Sequence, residues 1–562
     1  MLATLGAASL ATGAQAQTAP DAGSLLRQQP RPPATEPATA PAPAPAATAA
    51  QAPETGPRVL INAFRIRGAQ LISEAELQAQ LRDLVGKELG FRQLEGAAAT
   101  LSAHYARRGY LARVFAPPQQ IESGVLTLEV IEGRRGGVRV NATDPHIDAS
   151  RVAGFIDHRL GRGDTFDLHR LGEALNVLNE QPGLAVRSAL ATGQAQAEVD
   201  ITVTATAKPW LTGQLGVSNQ GSTSTGEAQL GGSLVLSNLS GHLDAVALTA
   251  NLSEGSAFGR LDYGIAVGHS GLRVGLNASQ MHYRVVQPAL AALESRGDAG
   301  TAGVVASLPL ARRNGLSLGV LFNADSKRLV DRTVVGETSR RRVQVAGLAL
   351  DGQLDGVERA LWAPGMLQFD LGLTVGDSDQ ANAGALAADA AARQVQGRFN
   401  KLSASLSYLQ TLAGAWRVSG ALRGQLADKN LDSTERFSLG GPNGVRAYPV
   451  GEGTGDQGWI GSADLVRQLN EATELGVFLD HGRVQLNHRT WAGWNAGQPA
   501  LDNRYALSAA GLTAVWRPTP QATLRATLAR ALGRNPGADA SGHNADGAAG
   551  RTRAWIHLYA TF

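Results

Sequence analysis

From residue 208 to Phe562 the chain alternates apolar and polar residues, and no apolar run reaches the length of a membrane helix. A period of two is the signature of a β-strand with one apolar and one polar face. Leu211, Leu215 and Val217 share one face, and Thr212, Gln214, Gly216 and Ser218 share the other. The pattern returns in Val246, Leu248, Ala250 and Leu252, in Leu261, Tyr263, Ile265 and Val267, and in Ala554, Ile556, Leu558, Ala560 and Phe562. Half-polar segments cross a bilayer only as a closed barrel, because an open sheet would leave backbone groups unpaired in hydrocarbon. The competing reading is a soluble double sheet with one solvated face. At this length such a sheet usually divides into domains with denser aromatic and β-branched cores, so the expectation is a transmembrane antiparallel β-barrel. Strands of about ten residues with short turns at one end and longer loops at the other give roughly sixteen strands over residues 208–562, with fourteen or eighteen also compatible.

Composition agrees. Hydrophobic residues make up 43% of the chain and mean hydropathy is -0.11, middling values for strands that keep one face polar. The absence of cysteine is compatible with an oxidising compartment without requiring one. A net charge of +3, with no basic stripe and no aromatic-basic interleaving, gives no sign of a nucleic-acid partner. Histidines 242, 269, 282, 481 and 557 are scattered, and no metal-spaced set, nucleophile elbow or phosphate-binding loop accompanies them, so no enzyme, metal or cofactor is expected.

The amino-terminal part reads as export followed by tethering. Residues 1–16 are small and apolar and end in Ala14-Gln15-Ala16, an acceptable signal-peptide cleavage site, although the usual basic start is missing. Residues 17–29 contain Asp21 to Gln29 with Leu25 and Leu26, a segment too short to hold a helix alone but able to form one when surrounded. Prolines punctuate residues 30–57, which cannot build a core and would span about 80 Å in polyproline II form.

Two small α/β units follow. In residues 58–136 an extended stretch (Val59, Ile61, Phe64, Ile66) ends at Gly68; Ser73 then caps a helix with Glu76 three residues on and Leu77, Leu81 and Leu84 as its buried stripe. A second helix carries Leu94, Ala98, Leu101 and Tyr105 and stops at Gly109, and strands at 110–115 and 125–131 complete a β-α-α-β-β order. Residues 137–207 repeat it in compressed form, with Val138 and Val140, a helix around Val152 and Ile156, a helix with Phe166, Leu168, Leu171, Leu175 and Leu178, and strands near 184–190 and 198–204.

These units resemble polypeptide-transport-associated (POTRA) domains, and nearly the whole chain resembles the outer-membrane transporters of two-partner secretion, of the haemolysin-activator or filamentous-haemagglutinin-transporter type within the Omp85 superfamily. The strongest local match is residues 439–448, Leu-Gly-Gly-Pro-Asn-Gly-Val-Arg-Ala-Tyr, against a family pattern Val-Arg-Gly-Tyr/Phe at the tip of a loop folded into the lumen. Arg446 and Tyr448 fit the pattern; Ala447 stands where it has glycine. Phe478-Leu479-Asp480-His481-Gly482 matches the family's Phe-x-Asp-x-Gly strand. Alternation turns Val477 and Leu479 to lipid and Phe478, Asp480 and Gly482 to the lumen. Taken alone, an arginine in a loop and an aspartate in a wet lumen are more readily solvated apart than paired. The resemblance implies an Arg446–Asp480 ion pair that holds the loop down.

The resemblance also implies sixteen strands, a plug helix carrying Leu25 and Leu26, and a terminal Phe562 read by the barrel assembly machinery during insertion. Its functional implication is translocation of an unfolded secreted partner, received by the POTRA-like modules, across an outer membrane whose lipid surrounds the barrel. A membrane-protein assembly factor of the same superfamily is the alternative; two modules with a tethered helix favour secretion. A passive porin with periplasmic attachments is the third reading.

Overall fold

The computed structural model describes residues 20–30, 58–313, 315–356 and 365–562. The signal peptide expected at 1–16 and all but the first residue of the proline-rich tract at 30–57 lie outside these. Sixteen strands form one closed barrel, from Leu211–Ser218 to Thr552–Thr561, every neighbouring pair antiparallel. Leu215, Leu248, Leu276, Leu348, Leu479 and Leu512 are exposed on the outer wall, while their sequence neighbours line the lumen, as a sealed cylinder in lipid requires. The barrel closes between the last strand and the first, His557 opposite Ser218 through Thr561 opposite Gln214. Phe562 extends this seam, its backbone exchanging hydrogen bonds with Gly213 at 2.9 and 3.0 Å.

The three strands Arg296–Arg313, Leu316–Thr333 and Gly336–Asp355 have 18, 18 and 20 residues. At about 3.3 Å per residue they run roughly 60 Å, well past a hydrocarbon layer about 30 Å thick even when tilted. Since the chain enters its first strand from the modules, these strands overhang on the opposite side of the membrane.

Both modules have the expected order, the first with additions. In the first, Val125–Glu132 is the central strand, parallel to Ala63–Arg67 and antiparallel to Ala112–Phe115. With Ala22–Gln28 as α1, its helices are α2 (Glu74–Gln80), capped by Ser73, and α3 (Phe91–Arg107). The extended stretch expected to be continuous breaks at Asn62, and Val59–Ile61 instead pairs with Lys87–Leu89. Leu84 lies in a short 3-10 turn after α2 rather than on the helix. Leu77, Leu81, Leu101, Tyr105, Leu126 and Leu128 are fully buried. Tyr105 donates to Glu132 at 2.9 Å, and burial together with this carboxylate raises its phenol well above the ordinary value. Glu132 also accepts from the backbone of Gln70 and Leu71 at 2.8 Å, tying the loop before α2 to the central strand.

In the second module, Glu198–Ala207 lies between Arg134–Ala142 and Leu184–Thr192, covered by α4 (Ala149–Arg159) and α5 (Leu168–Asn179). Phe166, expected on the second helix, precedes it and is fully buried. The module does not hang free. Leu243, from a turn beneath the barrel, and Ala266, at the lower end of the wall strand Ser256–Ala266, belong to its hydrophobic core. Arg159 donates to Ser270 at 2.8 Å, Asn176 to Arg312 at 2.9 Å, and Glu180 pairs with Arg312 at 2.5 Å.

Candidate functional site

The strands Trp416–Ala427 and Gln457–Gln468 are neighbours in the wall, and the 29 residues between them fold into the lumen as a loop. A two-residue ribbon, Phe437–Ser438 against Thr454–Gly455, closes its base. Leu439, Val445, Ala447 and Tyr448 are buried against Ile460, Phe478, Val484, Tyr505, Leu507 and Ala509 of the inner wall. Two glycines permit this approach. Gly441 has φ +109, a left-handed conformation that side chains disfavour. A Cβ on Gly482 would sit 2.9 Å from both the Leu439 side chain and the Trp459 carbonyl, so the loop rests on the wall where that wall has no side chain. Ala447 does not have positive φ, which explains why alanine is accommodated at the glycine position of the pattern.

Arg446 is brought to Asp480. Its Nη2 donates to Asp480 Oδ1 at 2.7 Å, its Nε to Oδ2 at 2.9 Å, and its backbone N–H to Oδ2 at 3.0 Å. Asp480 is fully buried, and such a carboxylate is tolerated only when paired and hydrogen-bonded. Two partners were not anticipated. Asp464 on the adjacent strand accepts from Nη1 at 2.8 Å and from Nη2 at 3.2 Å, so one planar fork engages two carboxylates. The Phe478 ring lies under the guanidinium, 3.5 Å from its carbon to the ring centroid, at cation–π distance. Phe478 in turn covers Gly511 on the next strand, where a Cβ would meet the ring at 2.6 Å. Trp555 of the last strand donates its indole N–H to the Arg446 carbonyl at 2.7 Å. The Tyr448 ring is buried among the wall residues, its hydroxyl unpaired.

A second polar cluster holds α1. Its Asp21 caps the helix through the Ser24 N–H at 2.8 Å and accepts from Ser433 of the loop at 2.7 Å. Arg341, projecting from the wall, is buried among Asp21, Asp331 and Asp432, and Asp331 also receives the Ala22 N–H at 2.7 Å and the Tyr283 hydroxyl at 2.7 Å. Leu25 is 2% exposed, packed with Phe258, Met281, Leu329 and Phe399 of the wall and Leu431 of the loop. Leu26 is only partly buried against this cluster. At the other end Arg27 donates to the Arg436 carbonyl at 2.9 Å. The helix is therefore inside the barrel, between wall and loop. Glu435 adds a loop anchor by pairing with Lys327 and with Lys401, the latter at 2.8 Å.

Asp464 carries a faint sequence signal, since it lies at the lumen-facing parity of its strand beside Phe478. Trp555 and the Arg341 cluster are drawn from distant strands and had none. No group of side chains suited to holding a metal occurs among the described residues.

Comparison with known proteins agrees with this architecture. The haemolysin secretion/activation model ShlB/FhaC/HecB matches residues 196–500, and the ShlB-type POTRA model matches residues 59–133. The heme/hemopexin transporter protein HuxB of Haemophilus influenzae (strain 86-028NP) is 24% identical over 429 residues, 74% of each chain. The outer membrane transporter CdiB of Dickeya dadantii (strain 3937) is 24% identical over 436 residues, 75% of this chain and 74% of its own. Among solved structures, CdiB from Escherichia coli superposes with a TM-score of 0.66 at 19% identity, covering 91% of this chain and 93% of that one. BamA from Haemophilus ducreyi, lacking POTRA domains 1-3, gives 0.54 at 15% identity, covering 89% and 100%, a likeness of fold. With more than half of its length matched by the family model, and with the barrel, modules and lumenal loop in place, the chain belongs to the haemolysin secretion/activation family ShlB/FhaC/HecB.

Proposed function

We propose that this outer-membrane transporter passes an unfolded secreted partner through its barrel by expelling α1 while the Arg446 loop stays anchored to the wall. Translocation of a partner exoprotein across the outer membrane is the function of this family, and the modules lie on the periplasmic side. The observation that carries the finer reading is the unequal attachment of the two lumenal elements. The loop is continuous with the wall at both ends, and Arg446 is gripped by two carboxylates and a ring. The helix has seven residues, is too short to persist alone, and buries one leucine deeply. An arriving chain therefore displaces the helix first.

The modules supply a first contact. The free edge of Ala63–Arg67 is partly taken by α2, with Glu74 accepting from the Ile66 N–H and Gln78 donating to the Phe64 carbonyl. Leu184–Thr192 pairs on one side only, and its residues 187–192 are all exposed. An extended partner can add to that edge through main-chain hydrogen bonds. Folding of the emerged segment outside gives direction, because burial of its apolar surface opposes return. Insertion of the barrel itself, with Phe562 recognised by the barrel assembly machinery, belongs to the same proposal.

The test is to arrest a secreted partner in transit and map its cross-links. Contacts from the arrested chain to Leu190 and to the lumenal face of Arg341, with α1 released, support the proposal. An arrested chain that leaves α1 in the lumen overturns it.

A further inference from the structure

The overhanging strands arrange their outward side chains in rows. Ala306, Phe322, Leu348 and Leu373 are cross-strand neighbours on the outer wall, and with Val304 opposite Ala324 just above them they form the upper part of the lipid-facing band. Four residues beyond Ala324, Arg328 lies directly opposite Arg342, and both are exposed. Higher still, Arg296 lies opposite Arg284 on one side and Arg332 on the other. Four residues are about 13 Å of strand, or roughly 10 Å along the membrane normal at a tilt near 40°, which places Arg328 and Arg342 at headgroup level.

Like charges directly opposite in a sheet are destabilising, and most of the other charges here are neutralised locally. Arg332 pairs with Asp298 at 2.6 Å, and Arg340 with Glu337 at 2.6 Å. Arg328 and Arg342 make no ion pair among the described residues. Asp379, opposite Arg342 on its other side, accepts from Gln396 at 3.0 Å. On the far side of Arg328 stands Gly300, over which the Gln280 amide lies, 2.9 Å from where a Cβ would be. Two adjacent guanidinium groups, a gap and an amide thus stand immediately above an apolar wall.

We propose that this patch binds the phosphorylated headgroup of an acylated glycolipid in the outer leaflet. The two planar forks match phosphate oxygens bidentately, their charge is complementary to a phosphate monoester, and the repulsion between them is relieved by the anion. Gln280 is placed for a sugar hydroxyl or amide, and the apolar rows below receive the acyl chains. The site is continuous with the lipid interface the barrel already has, and it lies on one side of the wall, so it would orient the transporter among its lipids.

The test uses the full chain in neutral detergent with diphosphoryl lipid A as probe, read by native mass spectrometry and by the temperature of heat-modifiable migration. The wild type is expected to retain the probe and to unfold at higher temperature in its presence. The double variant Arg328→Gln/Arg342→Gln is expected to bind at least tenfold more weakly, yet to unfold no earlier than wild type without lipid, since a like-charge contact is gone. Arg483→Gln, at an exposed arginine on another part of the wall, is expected to bind as wild type does. Undiminished binding by the double variant, equal loss in Arg483→Gln, earlier unfolding of the lipid-free double variant, or equally tight binding of phosphatidylglycerol by the wild type would each overturn the proposal.

Discussion

Arg446 gathers two carboxylates, an aromatic face and a backbone contact from the last strand at one residue. The two carboxylates are not equivalent. Asp480 is fully buried and also receives the Arg446 N–H, whereas Asp464 is 20% exposed at its side chain. Removing one partner of a buried pair strands the other charge, typically at about 3–5 kcal/mol. Asp480→Asn should therefore release the loop, read as new protease cleavage within residues 439–453, while Asp464→Asn should cost about 1–2 kcal/mol and leave protection largely intact. Arg446→Lys keeps the charge and loses the fork; its protection should resemble that of Asp480→Asn. Equal protection in all three variants would show that the charges do not hold the loop. The motif resemblance made Arg446 and Asp480 visible in the sequence, because the two stretches are local. Asp464 and Trp555 lie outside both motif stretches, and strand register brings them to Arg446.

At the scale of elements, close approach decides where the loop can rest. Gly482→Val would place side-chain atoms against Leu439 and the Trp459 carbonyl, both 2.9 Å from its Cβ position. Such overpacking typically costs about 1–3 kcal/mol, and the expected outcome is a barrel that still shows heat-modifiable migration but has a loosened loop. In the first module, Glu132 satisfies three donors at once. Glu132→Ala leaves them unpaired and should lower stability by about 2–3 kcal/mol, whereas Tyr105→Phe should cost about 1 kcal/mol; denaturant melts of the full chain followed by module-specific hydrogen exchange distinguish the two. The helices of both modules were legible from their apolar spacing and caps. The break at Asn62 was not, since Val59 to Ile66 alternates well enough for one strand, and its division follows from pairing with Lys87–Leu89, a stretch with little strand character of its own.

For the whole molecule, periodicity alone carried the barrel: each outward leucine and inward polar residue is stated in the chain. What periodicity does not encode is how the parts join. The second module completes its core with Leu243 and Ala266 from the barrel, a junction with no local signature. Leu243→Asp buries a carboxylate there and should detach the module, increasing the radius of gyration in solution scattering while leaving barrel migration unchanged; an unaltered envelope would mean that the polar contacts of Arg159, Asn176 and Glu180 suffice.

The indole of Trp555 couples the loop to the seam. The last strand closes the wall on the first, and its Trp555 also donates to the Arg446 carbonyl at 2.7 Å, so a loop drawn away from the wall forfeits a bond at the very strand on which closure depends.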